Sequence, residues 1–137
     1  MEYSYTISGG DFTHAGEASS HLKRILKSLN LDPVLIRRTV VALYEAEVNV
    51  VAHAWNGKVM VDISPDEIVI VVKDAGPGIE DIERAMQKGY STASPTVREM
   101  GFGAGMGLFN MKSNSDSLEI KSDPGVGTEV RIVNKIS

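Results

Sequence analysis

Residues Glu2 to Ile7 alternate polar and bulky side chains, which predicts a strand broken by Ser8-Gly9-Gly10. From Thr13 to Leu29 the period changes: Ala18, Leu22, Ile25, Leu26 and Leu29 recur near helical spacing, predicting a helix. Asp32-Pro33 predicts the start of a second helix, because Asp can cap free N–H groups and Pro is tolerated in the first turn. That helix is expected to run to about Ala54, with Asn56-Gly57 ending it. Lys58–Ile63 and Glu67–Asp74 predict two strands joined as a hairpin by Ser64-Pro65-Asp66. Ile79–Lys88 predicts a short helix, and Gly105–Ser113 another. Between them, Gly89–Ala104 has no clear period and is rich in Gly, Ser and Thr, so a loop is expected. Ser117–Ser122 and Thr128–Val133 predict the last two strands, turning through Asp123-Pro124-Gly125-Val126-Gly127.

The helices come early and the strands mostly late, with two hairpins. That order predicts an α+β fold whose sheet is mixed but mainly antiparallel. Partial alternation along the strands suits a two-layer sandwich, with helices covering one sheet face. No internal repeat or linker interrupts the chain, so residues 1–137 are expected to form a single domain.

Composition narrows the function classes. The apolar fraction of 42% supports a buried core, and the formal net charge of -4 comes without any basic run. A dedicated nucleic-acid binder would need a positive face, so none is expected. Without cysteine there is neither a disulfide nor a thiolate metal site. The N-terminus lacks the basic and apolar regions of a signal peptide, and no apolar run reaches membrane-spanning length. A cytoplasmic protein with no membrane association is the expectation.

Three motifs carry candidate chemistry. In Glu45-Ala-Glu-Val-Asn49, Glu45 and Asn49 are four apart and share one helix face, which His53 continues. An amide oxygen suits Mg2+, and a neighbouring carboxylate suits removal of a proton from an attacking hydroxyl. The alternative is a polar stripe facing solvent; Glu47, turned away from Glu45, is expected to be exposed. In Asp74-Ala-Gly76-Pro-Gly78, a carboxylate at a strand end precedes a glycine turn where backbone can approach a ligand closely. Such an Asp can accept a hydrogen bond from an amino group such as that of adenine; the alternative is an ordinary Asp-Gly loop. In Gly101-Phe-Gly103-Ala-Gly105-Met106-Gly107-Leu108, alternate glycines lead into a helix and offer N–H groups to phosphate. The alternative is glycine for mobility alone. No Gly-Lys-Ser/Thr closes this loop and no βαβ unit surrounds it, so it is neither a P-loop nor a dinucleotide fingerprint.

In this order the motifs resemble those of the GHKL ATPase superfamily from about Pro33 onward, with Gly125-Val-Gly127-Thr128 as a fourth match. Within it the chain is similar to bacterial anti-sigma factor serine kinases, through Glu45-Ala-Glu-Val-Asn-Val-Val-Ala-His53, Asp74-Ala-Gly-Pro-Gly-Ile79, Gly89-Tyr-Ser-Thr92 and Gly105-Met-Gly-Leu108. The resemblance implies a Bergerat-type sandwich that binds ATP between helices and sheet. It implies that Asn49 holds Mg2+ and contacts the nucleotide, and that Glu45 is the general base. It further implies that Asp74, supported by Thr128, binds adenine in a pocket lined by Gly76 and Gly78. Gly103, Gly105, Met106, Gly107 and Leu108 would form the phosphate lid. Some relatives carry Lys after a Ser/Thr pair in the lid; here Ala93-Ser94-Pro95 follows Ser91-Thr92, leaving Arg98 as the candidate cation.

The implied activity is ATP-dependent phosphorylation of a serine or threonine on a STAS-domain anti-anti-sigma partner, with a sigma factor as further partner. A homodimer through the first strand and helix is also implied. Two other readings stand beside it: the catalytic domain of a histidine kinase acting alone, and an ATP-gated binding module without enzymatic activity. Glu45 bears on the choice, because a serine hydroxyl must lose its proton as it attacks, whereas a neutral imidazole is already a nucleophile.

Overall fold

The computed structural model describes residues 1–79, 81–82, 86 and 107–136. The expected loop over 89–104, the candidate site residues Gly103, Gly105 and Met106, and most of the short helix expected over Ile79–Lys88 lie outside them.

Strands β1 (Glu2–Ser8), β2 (Asn56–Ile63), β3 (Glu67–Ala75), β4 (Ser117–Asp123) and β5 (Gly127–Lys135) form one five-stranded sheet in the order β1-β2-β3-β5-β4. Every ladder described is antiparallel, in line with the expected mainly antiparallel sheet, and no parallel pair of the expected mixed kind occurs among the described residues. Helices α1 (Glu17–Ser28), α2 (Pro33–His53) and α3 (Gly107–Ser113) complete the described elements, together with a 3-10 turn at Phe12–His14. The fold is α+β. No described helix is long and apolar enough to cross a membrane.

Side-chain alternation sorts the sheet into two faces. The register places Tyr5, Val59 and Val72 in one row, and Val61, Ile70, Ile132 and Leu118 in the next. These side chains pack with Leu22 and Leu26 of α1, Leu43, Ala46 and Val50 of α2, and Leu108 and Met111 of α3 in one core. Each fully buried aliphatic side chain contributes about 1.5–3 kcal/mol by leaving water. Helix α2 lies between α1 and α3 and touches both, so it is the roof over the middle of the sheet.

Local chemistry explains the helix ends. Asp32 caps α2, its carboxylate accepting the Val34 N–H at 2.9 Å with Pro33 in the first turn. The helix expected from Thr13 instead begins at Glu17. Gly16 adopts φ 97, a left-handed conformation that interrupts the helical run, and Ala15 before it is extended. The C-terminal end of α2 also differs from expectation. The helix stops at His53, and Asn56-Gly57 already belongs to β2. Gly57 serves close packing there: a Cβ would stand 2.8 Å from Val50 Cγ1, so α2 rides directly over the sheet at this point.

Candidate functional site

The roof helix turns two neighbouring carboxylates to opposite sides. Glu47, expected to be exposed, is 2% exposed. Its oxygens accept the N–H groups of Ser19 at 2.7 Å, Gly16 at 3.1 Å and Ala18 at 3.2 Å. It therefore caps α1 from the side, satisfying donors that a helix N-terminus leaves free. Burial pushes its carboxyl pKa up, and the three backbone N–H groups pull the other way.

Glu45 faces α3. Its Oε1 accepts a hydrogen bond from Asn110 Nδ2 at 3.2 Å, and its Oε2 lies toward Gly107, where a Cβ would be 3.6 Å away. The side chain is half-buried, and this burial raises its pKa against a smaller lowering by Asn110. Asn49 is one turn further along α2 and half-buried. His53 follows after another turn, with its pKa lowered by burial. The polar stripe expected on α2 is thus only partly open to solvent. Among the described residues no three His, Asp or Glu cluster as a metal cage. Asn49 supplies a single hard oxygen donor, which fits an ion such as Mg2+ that takes most of its coordination from phosphate and water.

The second pole of the site lies at the end of β3. Asp74 pairs with Gly57 in the ladder, on the helix-covered face, and the position of a Gly57 Cβ would be 3.5 Å from Asp74 Cβ and 2.8 Å from Val50. Asp74 is therefore beneath α2, beside the residue that follows Asn49. Its Oδ1 accepts the Thr128 N–H at 3.0 Å, while Oδ2 accepts no hydrogen bond among the described residues. Burial raises the Asp74 pKa, offset in part by the Thr128 amide.

The loop after Asp74 is pinned to the turn between β4 and β5. Gly76 N–H donates to Val126 O at 3.1 Å, and Gly125 N–H donates to Pro77 O at 2.7 Å. Ile79 N–H donates to Ser122 Oγ at 2.7 Å, and Ser122 is 2.8 Å from Thr128 Oγ1. A Cβ on Gly76 would stand 2.9 Å from Ala54 Cα, so the loop passes tightly under the end of α2. Gly78 has φ 75, with its Cα facing the Asp123 carbonyl too closely for a side chain.

Of the expected site residues, Glu45, Gly107 and Leu108 gather along the contact of α2 with α3, and Asn49 follows Glu45 one turn further along α2. Asp74, Gly76, Gly78 and Thr128 gather at the end of β3. The Leu108 side chain is packed in the core, so only its backbone is offered to a ligand. Gly103, Gly105 and Met106 lie outside the described residues. Sequence reasoning missed Asn110 and gave Ser122 no role of its own. Ser122 sits two residues from the Pro-Gly turn, a local signal; Asn110 meets Glu45 across 65 residues, with no local signal at all.

Comparison with known proteins identifies relatives in sequence and in fold. The anti-sigma F factor of Thermoanaerobacter sp. (strain X514) is 39% identical over 113 residues, covering 77% of this chain and 76% of that protein. The anti-sigma F factor of Pasteuria penetrans is 34% identical over 115 residues, covering 77% and 73%. Among solved structures, a chain of the SiaB-SiaC complex from Pseudomonas aeruginosa superposes with a TM-score of 0.63 over 96% of this chain and 89% of that one. At 14% sequence identity that likeness is one of fold. The family model described as a histidine kinase-like ATPase domain matches residues 10–134. The resemblance read from the ordered motifs is borne out, and the chain belongs to the histidine kinase-like ATPase domain family.

Proposed function

We propose that this ATP-binding domain is a serine/threonine protein kinase in a partner-switching circuit. Its acceptor is a STAS-type anti-anti-sigma protein, and a sigma factor is the regulated partner. The observation that carries the reading is Glu45: a half-buried carboxylate one turn from Asn49, on the roof helix shared by both poles of the site. The adenine amino group donates to Asp74, whose Oδ2 is available because Thr128 occupies Oδ1. Gly76 and Gly78 let the loop beside Asp74 pack closely against the end of α2 and the turn between β4 and β5, which fixes that side of the pocket. Asn49 would hold Mg2+ through its side-chain oxygen, and the ion would supply positive charge to offset that of the phosphates.

Glu45 then acts on the acceptor. As the hydroxyl oxygen attacks the γ-phosphorus, its proton passes to the Glu45 carboxylate. The bond from the γ-phosphorus to the β–γ bridging oxygen breaks, and ADP leaves with that electron pair. A burial-raised pKa makes the ionised Glu45 carboxylate a better proton acceptor than an exposed one. A homodimer belongs to the same reading: among the described residues β1 is an edge strand, paired with β2 alone.

The test is a pull-down with ATP, followed by phosphosite mapping and a Glu45→Gln variant. The expected acceptor is serine or threonine, and E45Q lowers its phosphorylation by about a hundred-fold or more. Nucleotide affinity is expected to stay within about three-fold by the same variant. Trp55 reports it: the chain's single tryptophan, 64% exposed, donates its backbone N–H to Ala75 O beside Gly76. Wild-type phosphorylation by E45Q would remove the base assignment. A mapped phosphohistidine would favour the histidine-kinase reading instead. Partner binding that responds to ATP without any transfer would favour the gated module.

A further inference from the structure

Asn110 has no part in the motifs, yet it is the residue through which α3 touches the candidate base. The contact is specific in its atoms. Asn110 Nδ2 donates to Glu45 Oε1 at 3.2 Å, which leaves Oε2 on the side of Gly107. Helix α3 is itself firmly seated, with Leu108 and Met111 buried in the core on either side of Asn110. The Asn110 backbone carbonyl is also engaged, accepting from Asn114 Nδ2 at 2.9 Å. An amide donor on a seated helix fixes a carboxylate in rotation, because only one of its oxygens is taken.

We propose that Asn110 is a positioning residue for Glu45: it holds Oε1 so that Oε2 is presented to the attacking hydroxyl. The inference rests on the reading of Glu45 as base.

The surroundings of Glu45 make the hydrogen bond readable. On α2, Asn49 and His53 continue its line and Glu47 turns to α1. On α3, Lys112 is two residues beyond Asn110, on the opposite side of the helix and exposed. From the sheet, β3 brings Asp74, which is engaged with Thr128. Among the described residues no cation lies within salt-bridge distance of Glu45. The donor removed by Asn110→Leu is therefore the polar group whose loss its titration will report.

Two measurements test the proposal on the full chain. The first is Mg-ATP hydrolysis without any partner, where water replaces the hydroxyl, its proton goes to Glu45, and ADP and phosphate are released. The second is a pH titration of the Glu45 carboxyl by carbon-13 NMR, with E45Q assigning the signal. Asn110→Leu is expected to lower kcat about ten-fold with the KM for ATP within two-fold. It should also raise the Glu45 pKa, since a donor favours the ionised form, moving the acid limb of the rate profile to higher pH. Asn110→Asp should do both more strongly, because two carboxylates then face each other. An unchanged Glu45 titration in N110L and N110D, or an unchanged kcat, overturns the positioning role. Hydrolysis by E45Q at the wild-type rate overturns the base reading as well, whereas loss in E45Q with no effect of N110L sinks this inference alone.

Discussion

Two polar clusters interrupt the apolar inner face of the sheet, one at each end of β5. Thr128 and Asn134 stand on the same strand and face, six residues and therefore about 20 Å apart. Asn134 is 1% exposed and saturated: its Nδ2 donates to Thr39 Oγ1 at 3.1 Å and Asn114 O at 3.0 Å, and its Oδ1 accepts the Asp116 N–H at 2.8 Å. It ties β5 to α2 and to the link between α3 and β4. The cluster around Asp74 is half-buried, and one carboxylate oxygen has no protein donor among the described residues. A buried polar group costs stability unless it is paired, so a saturated cluster can be explained by structure alone. An incompletely paired one, half-buried beneath the same roof helix as Glu45 and Asn49, keeps an acceptor that a ligand could use.

The largest effect on stability is expected at the saturated end. Asn134→Ala strands the Thr39 hydroxyl, the Asn114 carbonyl and the Asp116 N–H, and should cost about 3 kcal/mol in urea unfolding. Nucleotide affinity of the folded protein, read by Trp55 fluorescence, should stay within three-fold. A greater loss of affinity in folded N134A would show that the two ends are coupled and would break the contrast.

The sequence revealed one end far better than the other. Asp74 is legible because it closes an apolar strand and is followed by Gly76 and Gly78, all local signals. The Asp32-Pro33 helix start and the turn over 123–127 were legible for the same reason. Asn134 was not, because nothing near it in the chain distinguishes a buried amide from an exposed one; its Thr39 partner is 95 residues away. Glu47 was misjudged on the same ground. A carboxylate on a helix looks solvated until a second helix, 28 residues upstream, brings three free N–H groups to it. Gly16, which breaks the first helix, supplies one of those groups, so the error at Thr13 and the error at Glu47 have one cause.

At the open end the expected effect falls on ligand binding. Asp74→Asn keeps shape and can still accept from the Thr128 N–H, but it weakens acceptance of an amino group. Nucleotide affinity should fall about 100-fold, roughly 2.7 kcal/mol, with stability changed by less than about 1 kcal/mol. The same variant has a pH signature. Burial raises the folded pKa of Asp74, so its favourable contribution is complete below the unfolded pKa and is lost as pH rises through the folded one. D74N should therefore flatten the stability loss over the upper carboxylate range, in urea titrations at stepped pH. A destabilisation as large as that of N134A would mean that Asp74 is structural too.

The smallest effect sharpens the comparison, because Ser122 belongs to both descriptions. Its hydroxyl accepts from Ile79 N–H at 2.7 Å and donates to Gly127 O at 3.2 Å, which leaves the Thr128 hydroxyl to donate to it at 2.8 Å. It is saturated like Asn134, yet every partner belongs to the loop or turn that frames Asp74. Ser122→Ala should cost about 1 kcal/mol of stability and roughly five-fold in nucleotide affinity. The two losses are expected together, because the Ile79 N–H released from Ser122 is also the anchor of the loop that carries Gly76 and Gly78. If stability fell and affinity did not, the loop would hold its place through the Gly76–Val126 and Pro77–Gly125 bonds alone, and the frame of the Asp74 site would be those backbone pairs.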